Sequence, residues 1–139
     1  MVRILVVDDE VDLLRVIQRI LGRKEVEVIT ARDITSARQA LSLSPVDILC
    51  LDVDMPDGDG LDLLEEVRLT APDIPAIVMS GNATRERRSR AAQLGVVEFL
   101  AKPFGFHKLK ELVAQYGQAI EERQSKGVAN AKKRWTRNE

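Results

Sequence analysis

Five short apolar runs, each followed by a helical pattern, are the feature that most restricts how this 139-residue chain can fold. The runs have the length of strands and occupy residues 3–7, 26–30, 46–51, 76–79 and 96–100. The first, third and fourth runs are almost continuous in Val, Ile and Leu, which is typical of strands covered on both faces. The second run alternates around Glu27, which favours a position at the edge of a sheet.

The segments that follow these runs have the periodicity of amphipathic helices. In the first of them, apolar residues stand three and four positions apart, at Val11, Leu14, Ile17 and Leu21. Residues that end helices follow four of the segments, namely Gly22, Pro45, Pro72 and Gly95. Strand and helix therefore alternate, which predicts an α/β fold. We expect a five-stranded parallel sheet in the flavodoxin-like order 2-1-3-4-5, doubly wound by five helices.

Reactive polar residues stand directly after four of the five predicted strands. Asp8 and Asp9 follow the first strand, Asp52 follows the third, Ser80 the fourth, and Lys102 comes shortly after the fifth. The second strand, at the predicted edge, is followed by no comparable residue. Because the carboxyl ends of parallel strands meet at one rim, where ligands bind at the reversal of strand order, we expect these side chains to lie together.

The residue types at this rim are suited to phosphoryl transfer. Three carboxylates in one crevice repel each other unless a cation is present, and Mg²⁺ prefers hard oxygen ligands. Lys102 supplies a second positive charge, and Ser80 can donate a hydrogen bond to a phosphoryl oxygen. Phosphoryl transfer depends mainly on positioning and charge neutralisation, and a carboxylate can act as the nucleophile. Asp52, alone at its strand end and central in the set, is the natural acceptor.

The motifs around these residues resemble the receiver domain of two-component response regulators. They are VVDDE at 6–10, the D-x-x-M-P-x-x-x-G pattern at 52–60, MSG at 79–81 and FLAKPF at 99–104. The resemblance covers residues 1–120 and implies a switch rather than an enzyme that turns over substrate. It implies that a histidine kinase or a phosphotransfer protein phosphorylates Asp52, and that the chain catalyses only its own phosphorylation and slow dephosphorylation.

The same resemblance implies a role for each residue of the rim. Asp8 and Asp9 would hold Mg²⁺ together with Asp52 and the backbone carbonyl of Asp54, and Lys102 would contact the phosphoryl group.

On activation, Ser80 would shift toward the phosphoryl group and the aromatic Phe99 would change rotamer. Pro103 is often a cis proline in such domains, which would aim the preceding lysine inward.

The acidic stretch LDVDMPDGDG at residues 51–60 has two rival interpretations. A calcium loop that starts at Asp52 would need an acid at its fifth position and Glu at its twelfth, but these are Pro56 and Leu63. A D-x-D aspartyl phosphatase of the haloacid dehalogenase type is the alternative function. Its motif would match at Asp52 and Asp54, but Pro56 does not fit, and in that class the motif follows the first strand rather than the third.

Several of these residues also have purely structural interpretations. Asp8 and Asp9 could cap the first helix, since Asp is a favoured N-cap. Asp57 and Asp59 flank glycines and are expected to shape the turn into the third helix.

The single cysteine and the single histidine point to no further chemistry. We expect Cys50, which lies in an apolar run, to be a buried small hydrophobe, and His107 to lie on the surface.

Charge is distributed unevenly along the chain. Residues 121–139 carry six Lys or Arg and three Glu, a net +3, which leaves −4 for residues 1–120 against a total of −1. We expect a receiver domain at 1–120 and a basic tail or linker at 121–139, either a helical extension or a disordered end. The sequence does not choose between a stand-alone receiver and a fragment of a longer regulator.

The remaining expectations concern partners and location. A nucleic-acid role would rest only on residues 132–134 and Trp135 and is not expected. The fourth helix carries arginines that form either a solvated face or, with the fifth helix, the face of a homodimer: Arg85, Arg87, Arg88 and Arg90. No apolar segment reaches the ~20 residues of a membrane span, so we expect no membrane association and a cytoplasmic protein.

Overall fold

A computed structural model describes the backbone of residues 1–137 and the side chains of residues 1–127. Strands and helices alternate, with a small hairpin before the third helix. The elements are β1 (Val2–Val7), α1 (Val11–Leu21), β2 (Val26–Ala31), α2 (Ile34–Leu43), β3 (Ile48–Asp52), β4 (Asp54–Met55), β5 (Gly58–Asp59), α3 (Gly60–Thr70), β6 (Ala76–Ser80), α4 (Arg85–Gln93), β7 (Glu98–Ala101) and α5 (Phe106–Arg137).

The main sheet is parallel and has the strand order β2-β1-β3-β6-β7, which confirms the predicted flavodoxin-like topology. β2 lies at one edge, as its alternating pattern predicted. β4 and β5 pair with each other in an antiparallel hairpin of two residues each, which the apolar pattern did not predict. The order reverses between β1 and β3, so the carboxyl ends of these two strands flank the crevice where such sheets bind ligands.

Two apolar clusters cover the two faces of the sheet. One joins α1 and α5 to the sheet through residues such as Ile4, Ile17 and Leu109. The other joins α2 and α3 to the opposite face through residues such as Leu49 and Leu64. Every residue of β3 and β6 is buried, which accounts for their continuous apolar sequence. Each fully buried Leu, Ile or Val contributes roughly 1.5–3 kcal/mol, so the sheet forms a rigid platform for the residues at its rim.

Helix α4 is attached differently from the other helices. Among its nine residues, RERRSRAAQ, only Ala91 is buried. Thr84 caps the helix by accepting a hydrogen bond from Arg87 N at 3.2 Å. Because so little apolar surface is buried, polar contacts must hold much of this helix in place.

Helix α5 continues through the region that the sequence assigned to a tail, as far as Arg137. Of the alternatives for residues 121–137, the helical extension is therefore the one observed. The side chains of residues 132–134 and Trp135 lie outside the described residues. Within the described part of the chain, no helix is both long enough and apolar enough to cross a membrane.

Candidate functional site

Three aspartates come together at the carboxyl ends of β1 and β3. Asp8 is completely buried and Asp52 is 4% exposed, whereas Asp9 is exposed. One carboxylate oxygen from each of the three lies within 4.8 Å of the others. The structure thus assembles the acidic site that the sequence predicted.

Short hydrogen bonds fix the orientation of the two buried carboxylates. Asp8 Oδ1 accepts from Glu10 N at 2.9 Å, and Asp52 Oδ1 accepts from Asp54 N at 3.0 Å. The second bond places the backbone of Asp54 beside the Asp52 carboxylate. The N-cap position of α1 is Glu10, and its side chain makes no capping hydrogen bond. The capping role considered for Asp8 and Asp9 is therefore not what the structure has at this helix.

Lys102 links the buried carboxylates. Its Nζ lies 2.6 Å from Asp8 Oδ2, 2.9 Å from Asp52 Oδ2 and 3.3 Å from Glu10 Oε1. Its backbone N–H donates to Ser80 O at 2.8 Å, and the peptide bond to Pro103 is cis, as expected. The contact with Glu10 was not predicted, because the sequence offered nothing to distinguish that residue from a solvated glutamate.

Burial and mutual contact shift the pKa values of Asp8 and Lys102. Burial raises the pKa of Asp8, and the nearby Asp52 charge adds to this, although the hydrogen bond from Lys102 opposes it. Burial alone would lower the pKa of Lys102, but its hydrogen bonds to Asp8 and Asp52 outweigh that effect and raise it. Lys102 is therefore a permanent cation, and it contacts three carboxylates, those of Asp8, Asp52 and Glu10, while Asp9 adds a further carboxylate to the cluster.

The donor set fits a hard divalent cation. Carboxylate oxygens are the ligands that Mg²⁺ prefers, and a divalent ion would balance the charge that Lys102 leaves uncompensated. The hydrogen bond from Asp54 N to Asp52 Oδ1 also brings the backbone of Asp54 beside this cluster. The residues present are therefore suited to holding Mg²⁺.

Ser80, at the end of β6, is buried and held by its neighbours. Its Oγ accepts hydrogen bonds from Asn82 N at 3.0 Å and from Arg87 Nη1 at 3.2 Å. Arg87 also pairs with the carboxylate of Asp54 through two hydrogen bonds, of 2.6 and 3.0 Å. Arg87 thus belongs to the surroundings of the site, which the sequence did not indicate.

Two other arginines of α4 also contact side chains outside their helix. The guanidinium carbon of Arg88 lies 4.8 Å from the ring centroid of Phe99, a cation–π contact with the predicted switch residue. Arg90 reaches three carboxylates in and before α3, those of Asp59, Asp62 and Glu65. Three of the four arginines therefore make contacts within the chain, although Arg88 is still exposed, so the choice between a solvated face and a dimer face stays a prediction.

The acidic stretch separates into residues with different tasks. Asp59 caps α3 by accepting from Leu61 N at 2.7 Å, as expected. Asp57 instead accepts from Ile34 N at 2.8 Å and Thr35 N at 3.1 Å, so it stabilises the start of α2. The expectation that Asp57 shapes the turn into α3 was incomplete, because a contact across more than twenty residues leaves no local pattern.

Gly60 is needed where the chain passes Asp52. A Cβ at this position would lie 2.0 Å from the carbonyl oxygen of Asp52 and 2.6 Å from Leu51 Cδ1. Gly60 N also donates to Val53 O at 2.8 Å. The absence of a side chain therefore lets α3 begin directly against the strand that carries Asp52.

Cys50 and His107 match their predicted roles. Cys50 is fully buried, and burial raises the pKa of its thiol to about 12, which makes it unreactive. His107 is exposed and lies 2.9 Å from Glu111 one helical turn away.

Comparisons with known proteins agree with this geometry. The family model of the response regulator receiver domain matches residues 4–114. The response regulator protein PilR of Pseudomonas aeruginosa is 34% identical over 110 residues, which cover 79% of this chain but only 25% of PilR.

Two solved structures are similar in both sequence and fold. The non-phosphorylated HemR receiver domain of Leptospira biflexa has a TM-score of 0.77 and 28% identity, over 84% of this chain and 94% of that one. The response regulator TrrA of Thermotoga maritima, solved in complex with Mg²⁺ and BeF, has a TM-score of 0.72 and 30% identity. The match covers 84% of this chain and 99% of the TrrA chain.

Proposed function

Because this chain belongs to the response regulator receiver domain family, we propose that Asp52 accepts a phosphoryl group and so switches the state of the protein. The phosphoryl donor would be a histidine kinase or a phosphotransfer protein. The observation that carries the proposal is the pairing of the nearly buried Asp52 carboxylate with Lys102 Nζ at 2.9 Å, beside Asp8 and Asp9.

The chemistry assigned to Asp52 is nucleophilic. One carboxylate oxygen attacks the phosphorus, the bond between phosphorus and the donor's imidazole nitrogen breaks, and an acyl phosphate remains on Asp52. Asp54 N and Lys102 Nζ hold the two oxygens of the carboxylate, which limits its orientations before the reaction. Most of the rate enhancement is then positioning and charge stabilisation, as is usual for phosphoryl transfer.

Lys102 and Ser80 would act on the transferred group. The ammonium of Lys102 donates to Asp52 Oδ2 and is near enough to stabilise negative charge on a phosphoryl oxygen. Ser80 would shift toward that group and donate from its hydroxyl, and Phe99 would change rotamer in response. We place the resulting change of surface on α4, β7 and α5, through a shift between two pre-existing states.

Mg²⁺ would be held by Asp8, Asp9, Asp52 and the backbone carbonyl of Asp54. When bound, it would neutralise the negative charge that the carboxylates and the phosphoryl oxygens bring together.

Partners and domain limits belong to the proposal as well. We propose a receiver unit at 1–120 with a helical extension after it, and a homodimer through the α4 to α5 face as one form of output. A nucleic-acid partner is not proposed for this chain, and a cytoplasmic location remains a prediction.

The D-x-D phosphatase is not the function that the observations favour. The motif follows β3, in the middle of the sheet, and Pro56 stands where that class has Thr or Val. The family match also concerns regulatory domains. Rapid turnover of p-nitrophenyl phosphate would revive this hypothesis.

Intact-protein mass spectrometry after incubation with acetyl phosphate and Mg²⁺ tests the proposed function. We expect a single phosphoryl increment on the wild type and none on Asp52→Asn. Asp57→Asn is the matched control, because it alters an aspartate of the same stretch that accepts hydrogen bonds at the start of α2, and it should still be phosphorylated. No increment on the wild type, or an undiminished increment on Asp52→Asn, would contradict the proposal.

A further inference from the structure

Arg87 connects three residues that surround the acceptor site. Its guanidinium donates two hydrogen bonds to the carboxylate of Asp54, one from each terminal nitrogen. The second N–H of Nη1 is shared between Ser80 Oγ at 3.2 Å and Asn82 O at 3.0 Å. An open groove of about 300 Å³, lined in part by Asp9, Asp54 and Arg87, lies next to these contacts. The guanidinium therefore stands at the mouth of the site, between the loop after β3 and the end of β6.

The hydrogen bonds to Ser80 oppose its proposed movement. A hydroxyl can accept two hydrogen bonds, and Asn82 N and Arg87 Nη1 both donate to Ser80 Oγ. If Ser80 shifts to donate to a phosphoryl group on Asp52, it must leave the place where these two donors hold it. The bond from Arg87 comes from a charged group, which makes it stronger than a neutral one.

The ion pair between Arg87 and Asp54 holds the guanidinium in the orientation from which it donates to Ser80 Oγ. A bidentate arginine–carboxylate pair fixes the plane of the guanidinium, so the remaining N–H directions are fixed as well. The two side chains are 26% and 50% exposed, and pairs this exposed contribute little to stability. Since Ala91 is the one buried residue of α4, the pair also ties a weakly packed helix to the loop after Asp52.

We propose that Arg87 is a positioning residue that holds the Ser80 hydroxyl in its resting place and so sets how readily the site reaches its phosphorylated conformation. This inference rests on the proposed function of Asp52. Loss of the Arg87 guanidinium shifts the equilibrium toward the activated conformation before any phosphoryl group is present. By linkage, it also tightens the binding of a phosphoryl analogue that favours that conformation.

Amide NMR spectra combined with beryllofluoride titration in Mg²⁺ test the inference. Spectra of the wild type without beryllofluoride and with saturating beryllofluoride define the two end positions of the amide peaks of Ser80 and Phe99. In Arg87→Ala without the analogue, these peaks should move along the line toward the saturated positions. Beryllofluoride should bind roughly fivefold more tightly, the change expected for one hydrogen bond.

Matched variants separate positioning from a general structural effect. Asp54→Asn keeps the backbone carbonyl but weakens the anchor of Arg87, so its peaks should shift in the same direction. Arg87→Lys keeps the positive charge but lacks the two terminal nitrogens that pair with Asp54, so it should give a smaller peak shift. Arg85→Ala replaces an exposed arginine of the same helix and should give the wild-type spectrum. Thermal melts should stay near the wild-type midpoint for all four variants, because the pair is exposed.

The outcomes distinguish this inference from the function on which it rests. If the wild-type peaks do not respond to beryllofluoride, the proposed acceptor function fails and the inference fails with it. If the wild type responds but Arg87→Ala has unshifted peaks, Arg87 does not position Ser80. If Arg87→Ala binds the analogue more weakly, Arg87 contacts the phosphoryl group directly, which also overturns the inference.

Discussion

The ammonium nitrogen of Lys102 lies 2.9 Å from Asp52 Oδ2 and so joins the ends of β7 and β3, two strands separated in the sheet by β6. The Lys102 side chain is only 14% exposed and the Asp52 side chain 5%, so solvent screens this pair weakly. The carboxylate that we propose as the phosphoryl acceptor is therefore already paired with a cation.

Replacing Lys102 should impair phosphorylation strongly. Lys102→Met keeps much of the side-chain volume but removes the cation that faces Asp52, and we expect the rate of phosphorylation by acetyl phosphate to fall about a hundredfold. Phos-tag gels over time measure the rate. Lys108→Met is the control, because its ammonium lies 3.9 Å from Glu98 on the surface, and a similar loss there would argue against a specific role.

Asp8 should destabilise the folded protein in the absence of metal and stabilise it when Mg²⁺ is bound. Its pKa is raised by burial, so its charged form is unfavourable in the folded protein, and Asp8→Asn should unfold at a higher temperature in EDTA. Mg²⁺ at a hundred times its Kd should stabilise the wild type by ~2.7 kcal/mol. Asp8→Asn should lose most of that gain, and an equal gain in the two proteins would contradict the assigned ligand role.

Gly60 should not tolerate a side chain. Gly60→Ala would place Cβ 2.0 Å from the Asp52 carbonyl oxygen, a backbone atom that cannot move without displacing Asp52 itself. We expect the free energy of unfolding to fall by about 1–3 kcal/mol in urea titrations. Gly105→Ala is the control, since a Cβ there meets nothing within 4 Å. Equal stability of the two variants would show that α3 can shift away from Asp52.

Asp57 should make the start of α2 sensitive to acid. Hydrogen bonds from the backbone, first that of Ile34, lower the pKa of Asp57 in the folded protein. Its stabilising contribution is therefore complete above the unfolded pKa and is lost as the pH falls through the lower, folded value. Asp57→Ala should lower the melting temperature at pH 7, and the difference from wild type should shrink in strong acid. A difference that persists at the lowest pH would point to packing instead.

The homodimer hypothesis is best tested at an arginine of α4 other than Arg87. Charge reversal at Arg87 would weaken association if α4 forms the interface, but Arg87 pairs with Asp54, so such a variant would disturb the acceptor site as well. Arg85→Glu avoids this contact and also leaves the contact of Arg88 with Phe99 in place, and we expect it to weaken association of the phosphorylated protein in analytical ultracentrifugation. Unchanged association, with phosphorylation intact, would exclude α4 as the interface.

Much of the fold and the acidic site follows from local sequence patterns. Continuous apolar runs can be buried only as central strands, and their alternation with helices leaves few chain paths, so the order β2-β1-β3-β6-β7 was predictable. Residues that follow parallel strands must share one rim, so the proximity of Asp8 and Asp52 was predictable as well.

Other contacts depend on the distance and angle between elements, which no periodic pattern encodes. Asp57 could have capped its own turn, and Arg87 could have pointed into solvent, until packing placed α2 and α4 beside the loop after β3. Glu10 likewise meets Lys102 only because β1 and β7 end at the same rim. Polar side chains on exposed surfaces have many alternative partners of similar energy, including water, so their choice is made by the assembled fold.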